Sequence, residues 1–430
     1  MSELVTIQMN YSAFTKEAWQ HYSTNVTAIH HQLETAKSGL GWLHYPLENH
    51  APLFQQIKQV VNEIKLSADV LVVIGIGGSY LGAKAIQTAL SPYFEQAPCS
   101  VVYIGQNMSG AYIEQLLRSL DGKSVYVNVI SKSGTTFESA IAFRLVRHYM
   151  EQQYGEDTAR RMIVTTDAEE GLLKEFAGLK GYRQFTIPAD IGGRYSVFTP
   201  VGLLPLAVVG VDIYELMRGA VEAAVKLKEP CLEYNAAYRY AVARHLLYKQ
   251  GYRLELLATF EPSLTYVQQW WTQLFAESEG KGQQGLYPCS VQFPSDLHSV
   301  GQFIQQGSPI LFETVLHIKE ASTDFIVPFD RQNADKLNYV AGKSMQELTT
   351  IAKDGVIAAH KEANVPIIEL QIAKLDAYHL GYMLYFFMKA CAMSATLLQV
   401  NPFDQPGVEA YKQKIQELLR ENVNQATLFS

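Results

Sequence analysis

Five apolar runs of strand length, the first three each leading into a stretch of helical spacing, constrain the fold of this chain more than any other feature. Val70-Leu71-Val72-Val73-Ile74 is the first, and Val101–Ile104, Val125–Ile130, Met162–Val164 and Phe185–Ile187 follow. Helical patterns fill the gaps, from Leu81, around Tyr112 to Leu120, and from about Thr135 to Tyr149. A run that is apolar at every position must be covered on both faces. Such strands alternating with helices predict a doubly wound parallel α/β sheet. Two helical stretches near 213–228 and 233–249 lead into a second series, with strands at Leu254–Ala258, Leu311–Ile318 and Pro366–Leu370. The halves share no convincing sequence repeat, but their order of elements is alike. Residues 1 to about 65 read as helical, on the spacing of Val26, Ile29 and Leu33 and of Ile57, Val60, Val61 and Ile64. The expected layout is an N-terminal helical segment (1–65), two α/β subdomains (66–210 and 211–400) and a C-terminal segment with a helix (401–430). The subdomains are expected to meet along a cleft, with ligands at the carboxyl ends of the strands.

Composition narrows the function classes. With 48% hydrophobic and 18% charged residues the chain is globular, not disordered. A net charge of −7 and the lack of a long basic run argue against nucleic acid as a partner. Cys99, Cys231, Cys289 and Cys391 are scattered, without a Cys-x-x-Cys pair, which fits a reducing cytosol. Met1 to Lys16 alternates polar and apolar residues and lacks the cationic start and apolar block of a secretory signal. The apolar stretch Val197–Val211 carries Pro200 and Pro205, and the one from Leu380 to Val400 is interrupted by Lys389, so both read as core and not as membrane spans. A cytoplasmic protein is expected.

Several strings between these elements can carry chemistry. Gly75-Ile76-Gly77-Gly78-Ser79-Tyr80-Leu81-Gly82 leaves the first strand and opens a helix. A dinucleotide fingerprint needs glycine where Tyr80 stands, and no Gly-Lys-Ser/Thr closes a Walker loop. What remains suits a tight turn or an anion held by backbone N–H groups. Ser131-Lys132-Ser133-Gly134-Thr135-Thr136 delivers four hydroxyls and a lysine to the start of the next helix. Capping needs one hydroxyl, and a phosphate would use several. Gln273-Leu274-Phe275-Ala276-Glu277-Ser278-Glu279-Gly280-Lys281 ends an amphipathic helix, where the macrodipole disfavours negative charge. Glu277 and Glu279 there suit a solvated helix end or a general base. Ser295-Asp296-Leu297-His298 places a histidine just beyond a helix start. No His-Glu-x-x-His or comparable spacing occurs, so no metal site is expected. In Asp190-Ile191-Gly192-Gly193-Arg194-Tyr195-Ser196-Val197-Phe198-Thr199-Pro200-Val201-Gly202, paired glycines let the backbone turn tightly and aim Arg194 at an oxyanion or a phosphate, where the plainer reading is a tight turn with a salt-bridged arginine.

That last string and a second one far downstream, Phe403-Asp404-Gln405-Pro406-Gly407-Val408-Glu409-Ala410-Tyr411-Lys412, together resemble the two signature motifs of the phosphoglucose isomerase family. The resemblance covers about residues 65 to 415, in the shorter form common among bacteria. It implies two sugar isomerase (SIS) subdomains and interconversion of glucose 6-phosphate and fructose 6-phosphate through a cis-enediol, without a cofactor. It marks Glu277 as the base, His298 and Lys412 as the ring-opening pair, and Arg194 as the group that stabilises the enediolate. Ser79, Ser131, Ser133 and Thr136, with Gly78, Lys132 and Thr135 beside them, are implied to hold the phosphate, and Gln273 and Gln405 to contact the sugar. The family is typically a homodimer whose sites are completed by a histidine from the neighbour. A regulator that kept the phosphate loop and lost the chemistry would lack the base, whereas Glu277, His298, Lys412 and Arg194 are all present.

Overall fold

In the computed structural model, which describes residues 4–10, 14–35, 38–94 and 97–428, the apolar runs become strands of two five-stranded sheets. The strands are β1 (Val5–Asn10), β2 (Val70–Ile74), β3 (Ser100–Ile104), β4 (Val125–Ile130), β5 (Met162–Asp167), β6 (Arg183–Ile187), β7 (Leu254–Thr259), β8 (Tyr287–Gln292), β9 (Leu311–Glu320) and β10 (Ile367–Lys374). The first sheet has the order β3-β2-β4-β5-β6 and is parallel throughout. Every residue of β2 and of β4 is buried, as an all-apolar run in a doubly covered sheet must be. The order reverses between β2 and β4, so the loops leaving these two strands diverge and open a crevice.

The second sheet has the order β1-β10-β9-β7-β8. Its four later strands are parallel and repeat the winding of the first sheet, which is the likeness of element order visible in the sequence. Two strands depart from expectation. β8 is an edge strand whose Tyr287-Pro288-Cys289-Ser290-Val291-Gln292 never forms an apolar run, and proline at its second position is tolerated at an edge. The helical reading of residues 1–65 fails at β1, which pairs antiparallel with β10 at the other edge. Val5-Thr6-Ile7-Gln8-Met9-Asn10 alternates apolar and polar residues, which is the period of a half-covered strand. Helix begins only at Lys16, with Lys16–Thr35 and Ala51–Ser67 as the two long helices. Residues 1–3, 11–13 and 36–37 of that segment lie outside the described residues.

The buried apolar side chains run without a break from Leu71 and Val73 in the first sheet, through Trp270, Trp271, Phe386 and Phe387, to Leu257 and Leu370 in the second. The helix Ala377–Leu397, long and apolar enough to span a membrane, lies instead almost wholly inside the protein. It packs on the helix Ile213–Lys226 at backbone contact, because Gly219 and Gly381 face the partner. A Cβ on Gly219 would stand 1.9 Å from the Tyr378 carbonyl, and one on Gly381 1.9 Å from that of Leu216. Lys389, the charge that interrupts this helix, is 3% exposed and pairs with Glu34 at 3.7 Å, and burial pushes its pKa down to about 8.

His245 and His317 are held neutral by burial, with Lys249 and Lys353 adding in the same direction, and both pKa values are pushed down to about 4 from 6.5. The unfolded chain takes up these protons below about 6.5 while the folded chain does not until about 4, so stability is lost as pH falls through that window. Melting temperatures should therefore drop between pH 7 and pH 5. His245→Phe, which keeps a ring against Tyr22, should make the drop shallower. An unchanged pH dependence in that variant would remove His245 from the account.

Candidate active site

Two glycine turns lie back to back. One leaves β2 through Gly77–Ser79, and the other follows β6 through Gly193–Tyr195. A Cβ on Gly78 would stand 2.1 Å from the Gly193 carbonyl carbon and 2.6 Å from the Arg194 nitrogen, so only glycine allows the turns to touch. The contact fixes the direction of Arg194, which is 4% exposed.

A guanidinium has five N–H donors, and Arg194 uses all of them. Nε donates to Ser278 Oγ at 2.9 Å, and Nη1 to Glu277 Oε2 at 3.1 Å and to Gln405 Oε1 at 2.9 Å. Nη2 donates to the carbonyls of Pro402 at 2.6 Å and Asp404 at 3.1 Å. The second carboxylate oxygen of Glu277 accepts from Gln273 Nε2 at 2.9 Å, one helical turn back on the helix Thr265–Glu279. Glu277 thus has each oxygen held by a different donor, while its side chain remains 31% exposed to the cleft. Lys281 secures the same helix end to the downstream string, donating to Ser278 O at 3.0 Å and pairing with Asp404 at 3.1 Å. Burial lowers the Lys281 pKa and Asp404 opposes the shift.

Across the cleft, the loop after β4 organises its own hydroxyls. Ser131 Oγ accepts the Gly134 N–H at 3.0 Å, and Ser133 Oγ accepts the Thr135 N–H at 3.2 Å and lies 2.8 Å from Thr135 Oγ1. Thr136 stands at the start of the helix Phe137–Tyr154 but makes no side-chain cap to its first turn. The first amides of that helix therefore keep their attraction for an anion. Lys132 turns aside to donate to the Ala189 carbonyl.

The cleft has a volume of ≈ 860 Å³ and is lined by Gly78, Ser79, Ser131, Lys132, Ser133, Thr135, Thr136, Arg194, Gln273, Glu277, Gln405 and Lys412. Lys412 reaches it from the helix Pro406–Leu428, with Nζ 3.0 Å from Glu409 Oε1. One residue of the sequence set is absent: His298 is exposed, on the turn Ser295–His298, and does not line this cleft. Topology gives the reason. The helix Thr265–Glu279 runs back from the carboxyl end of β7, so Glu277 lies toward the end of the sheet where β8 begins, whereas His298 follows the end where β8 finishes. Six residues of β8 separate the two ends by about 20 Å. The cleft therefore lies at the carboxyl ends of the strands in the first sheet alone, and the second contributes through a helix C-terminus at its opposite end.

Sequence reasoning missed other lining groups. Glu138, Asp167, Glu170 and Tyr411 also face the cleft, and the backbone N–H of Glu169 lowers the Asp167 pKa most. Ser278, which holds the Nε of Arg194, carries no signal of its own beyond standing next to Glu277. Glu279 points away from the cleft to Arg244. Among the described residues no cluster of three or more His, Cys, Asp or Glu is placed to hold a metal ion.

The phosphoglucose isomerase family profile matches residues 59–429. A glucose-6-phosphate isomerase of Shouchella clausii (strain KSM-K16) is 49% identical over 400 residues, 91% of this chain and 89% of its own length. That of Exiguobacterium sibiricum is 44% identical over 97% of this chain and 96% of its own. Among solved structures, a hypothetical protein from Thermus thermophilus matches with a TM-score of 0.87 at 28% identity, covering 96% of this chain and all of its own. A glucose-6-phosphate isomerase from Chlamydia trachomatis shares the fold at a TM-score of 0.81 and 19% identity, covering 100% of this chain and 93% of its own. On the extent of these matches, the chain belongs to the phosphoglucose isomerase family.

Proposed function

We propose that this cleft interconverts glucose 6-phosphate and fructose 6-phosphate, a step of glycolysis and gluconeogenesis, in the cytoplasm. The observation that carries the reading is a carboxylate, Glu277, held by one donor on each oxygen and facing a hydroxyl-rich helix start across the cleft. The phosphate binds at Ser79, Ser131, Ser133 and Thr136, far from the reacting carbons, and its binding energy positions them. Lys132 and Thr135 flank that anchor, and Gln273 and Gln405 border the sugar. Once the ring is open, Glu277 takes the proton from C2. The C2–H electron pair becomes the C1–C2 double bond, and the C1 carbonyl electrons move onto oxygen. Arg194 stabilises that enediolate. The C2 hydroxyl proton passes to the C1 oxygen, and the proton on Glu277 then returns to C1 as the C2–O electrons form the ketone, giving the ketose; the reverse sequence gives the aldose.

Ring opening needs a second proton carrier. Lys412 lines the cleft, and His298, exposed at the far end of its own sheet, serves in this reading the cleft of a second copy of the chain. Val300 and Phe303 beside it are exposed, as are Phe325, Phe329 and Tyr339 after β9, which supports burial of this side in a homodimer.

Glu277→Gln keeps the size of the side chain and removes the base. Isomerisation and solvent-deuterium exchange at C2 should both fall by on the order of 10²–10⁴-fold, with sugar-phosphate affinity little changed. Near-normal exchange in the folded variant would take the base assignment away from Glu277. Parallel assays on mannose 6-phosphate test the substrate, since turnover of that ester alone would overturn the assignment. For the dimer, Glu277→Gln and His298→Ala chains, each nearly inactive, are mixed, dissociated and reassociated. A mixed dimer holds one cleft with both native groups, so about a quarter of wild-type activity should return. No recovery, despite mixed dimers being present, would place His298 outside the partner's site.

A further inference from the structure

Glu279 stands two residues beyond the proposed base and points the other way, into a fully buried ionic cluster. Arg244, on the helix Ala236–Lys249, donates through Nη1 and Nη2 to both Glu279 oxygens, the Nη2 contact being 3.2 Å. Its Nε donates to Glu255 Oε2 at 2.6 Å, and Nη1 also to Ser394 Oγ at 2.7 Å. Glu255 in β7 in turn accepts from Tyr240 at 2.5 Å and from Thr314 in β9 at 2.7 Å. Arg244, Glu255 and Glu279 are each 0% exposed, and the guanidinium lies over the Phe275 ring at 4.1 Å. Burial pushes the Glu279 pKa up, against the pull of Arg244.

Stability alone does not call for such a cluster, because well-packed apolar residues in its place are often as stable. Its location supplies another reason. The last turn of a helix lacks partners for its carbonyls and frays easily, yet this turn carries Glu277, and a catalytic group has to be held to within about 0.5 Å. Glu277's own contacts, to Arg194 and Gln273, face the reacting groups. The attraction to Arg194 weakens each time the carboxylate is protonated. Arg244, by contrast, ties the turn to β7, β9 and the helix Ala377–Leu397 through groups that never meet substrate.

Resting on the assignment of Glu277 as base, we infer that the Arg244–Glu279 pair is a positioning device that fixes the last turn of the base helix against the second sheet. Glu279→Ala releases the turn. With glucose 6-phosphate, kcat should fall about 10–100-fold, while KM and competition by inorganic phosphate stay within about twofold, since the anchor lies on the other sheet. Glu279→Gln keeps an oxygen for Arg244 and should restore most of kcat. An unchanged kcat in folded Glu279→Ala, with only the melting temperature lowered, reduces the pair to a structural role and overturns the inference. Failure of Glu279→Gln to rescue overturns it as well, because charge and not position would then matter. If Glu279→Ala does not fold, Ser394→Ala, which removes only one acceptor of the same Nη1, carries the test. It should lower kcat about two- to fivefold at constant KM, and no loss is the contrary result. Glu277→Gln measured alongside separates the two readings: activity surviving there dismisses the base, and activity surviving only in the Glu279 and Ser394 variants dismisses the clamp.

Discussion

The site depends on one buried side chain whose hydrogen-bonding capacity is completely filled. Arg194 reaches Ser278 and Glu277 at the end of one helix, and Gln405, Pro402 and Asp404 in the approach to another, from a turn that closes the first sheet. Charged hydrogen bonds are each worth roughly 1.5–3 kcal/mol net, and they are not additive when they share one group. The larger consequence is geometric. A planar fork with five fixed directions fits its partners in one arrangement only, so the three segments cannot shift independently. Tyr195, stacked on Trp42 at 4.8 Å and near Phe403 at 5.7 Å, packs the base of the same junction. The two signature strings, about two hundred residues apart in the chain, are the two sides of this one contact.

The junction divides the labour between the sheets. At the switch point of the first, β2 and β4 deliver Ser79 and the hydroxyl loop, and the bare start of the helix Phe137–Tyr154 adds its amides. This pole, with its hydroxyls and free helix amides, suits a dianion. The second sheet presents no strand end here. It supplies the C-terminus of the helix Thr265–Glu279, whose dipole disfavours the negative charge of Glu277 while Arg194, 3.1 Å away, favours it.

Much of this was legible in the sequence, and the remainder was hidden for identifiable reasons. Fully buried strands such as β2 and β4 announce themselves because burial on both faces excludes polar residues. Edge strands do not: β8 tolerates Pro288 and Ser290, and β1 shows only the alternation of a half-covered strand, next to a helical pattern long enough to obscure it. The glycines of the two turns marked flexible backbone, but that Gly78 abuts Gly193 is a tertiary fact no local pattern contains. Twelve of the thirteen site residues that the family resemblance marks line the cleft, among them Arg194, Glu277 and Lys412. Ser278 escaped because its role lies in what it faces, Arg194, and Glu279, read as a solvated helix end or a base, is buried against Arg244 instead. His298 was legible as a residue type but not as a location, because which end of a sheet a turn occupies follows from strand and helix direction, not from spacing.

The contact between Arg194 and Glu277 also bears on how the proposed reaction handles charge. Before proton abstraction, the negative charge nearest Arg194 is that of the carboxylate, within 3.1 Å of Nη1. Afterwards Glu277 is neutral and the charge resides on the enediolate oxygen. The same Nη1 also touches Gln405 on the cleft wall, so a substrate oxygen beside that amide meets the guanidinium without displacing its other four contacts. The cation stays fixed while its counter-charge moves from one neighbour to the next. Little reorganisation then accompanies the transfer, which is what preorganised electrostatic stabilisation requires. A lysine, a single rotatable point charge, could pair with one of these anions but could not hold both helix ends in register while the charge changes places.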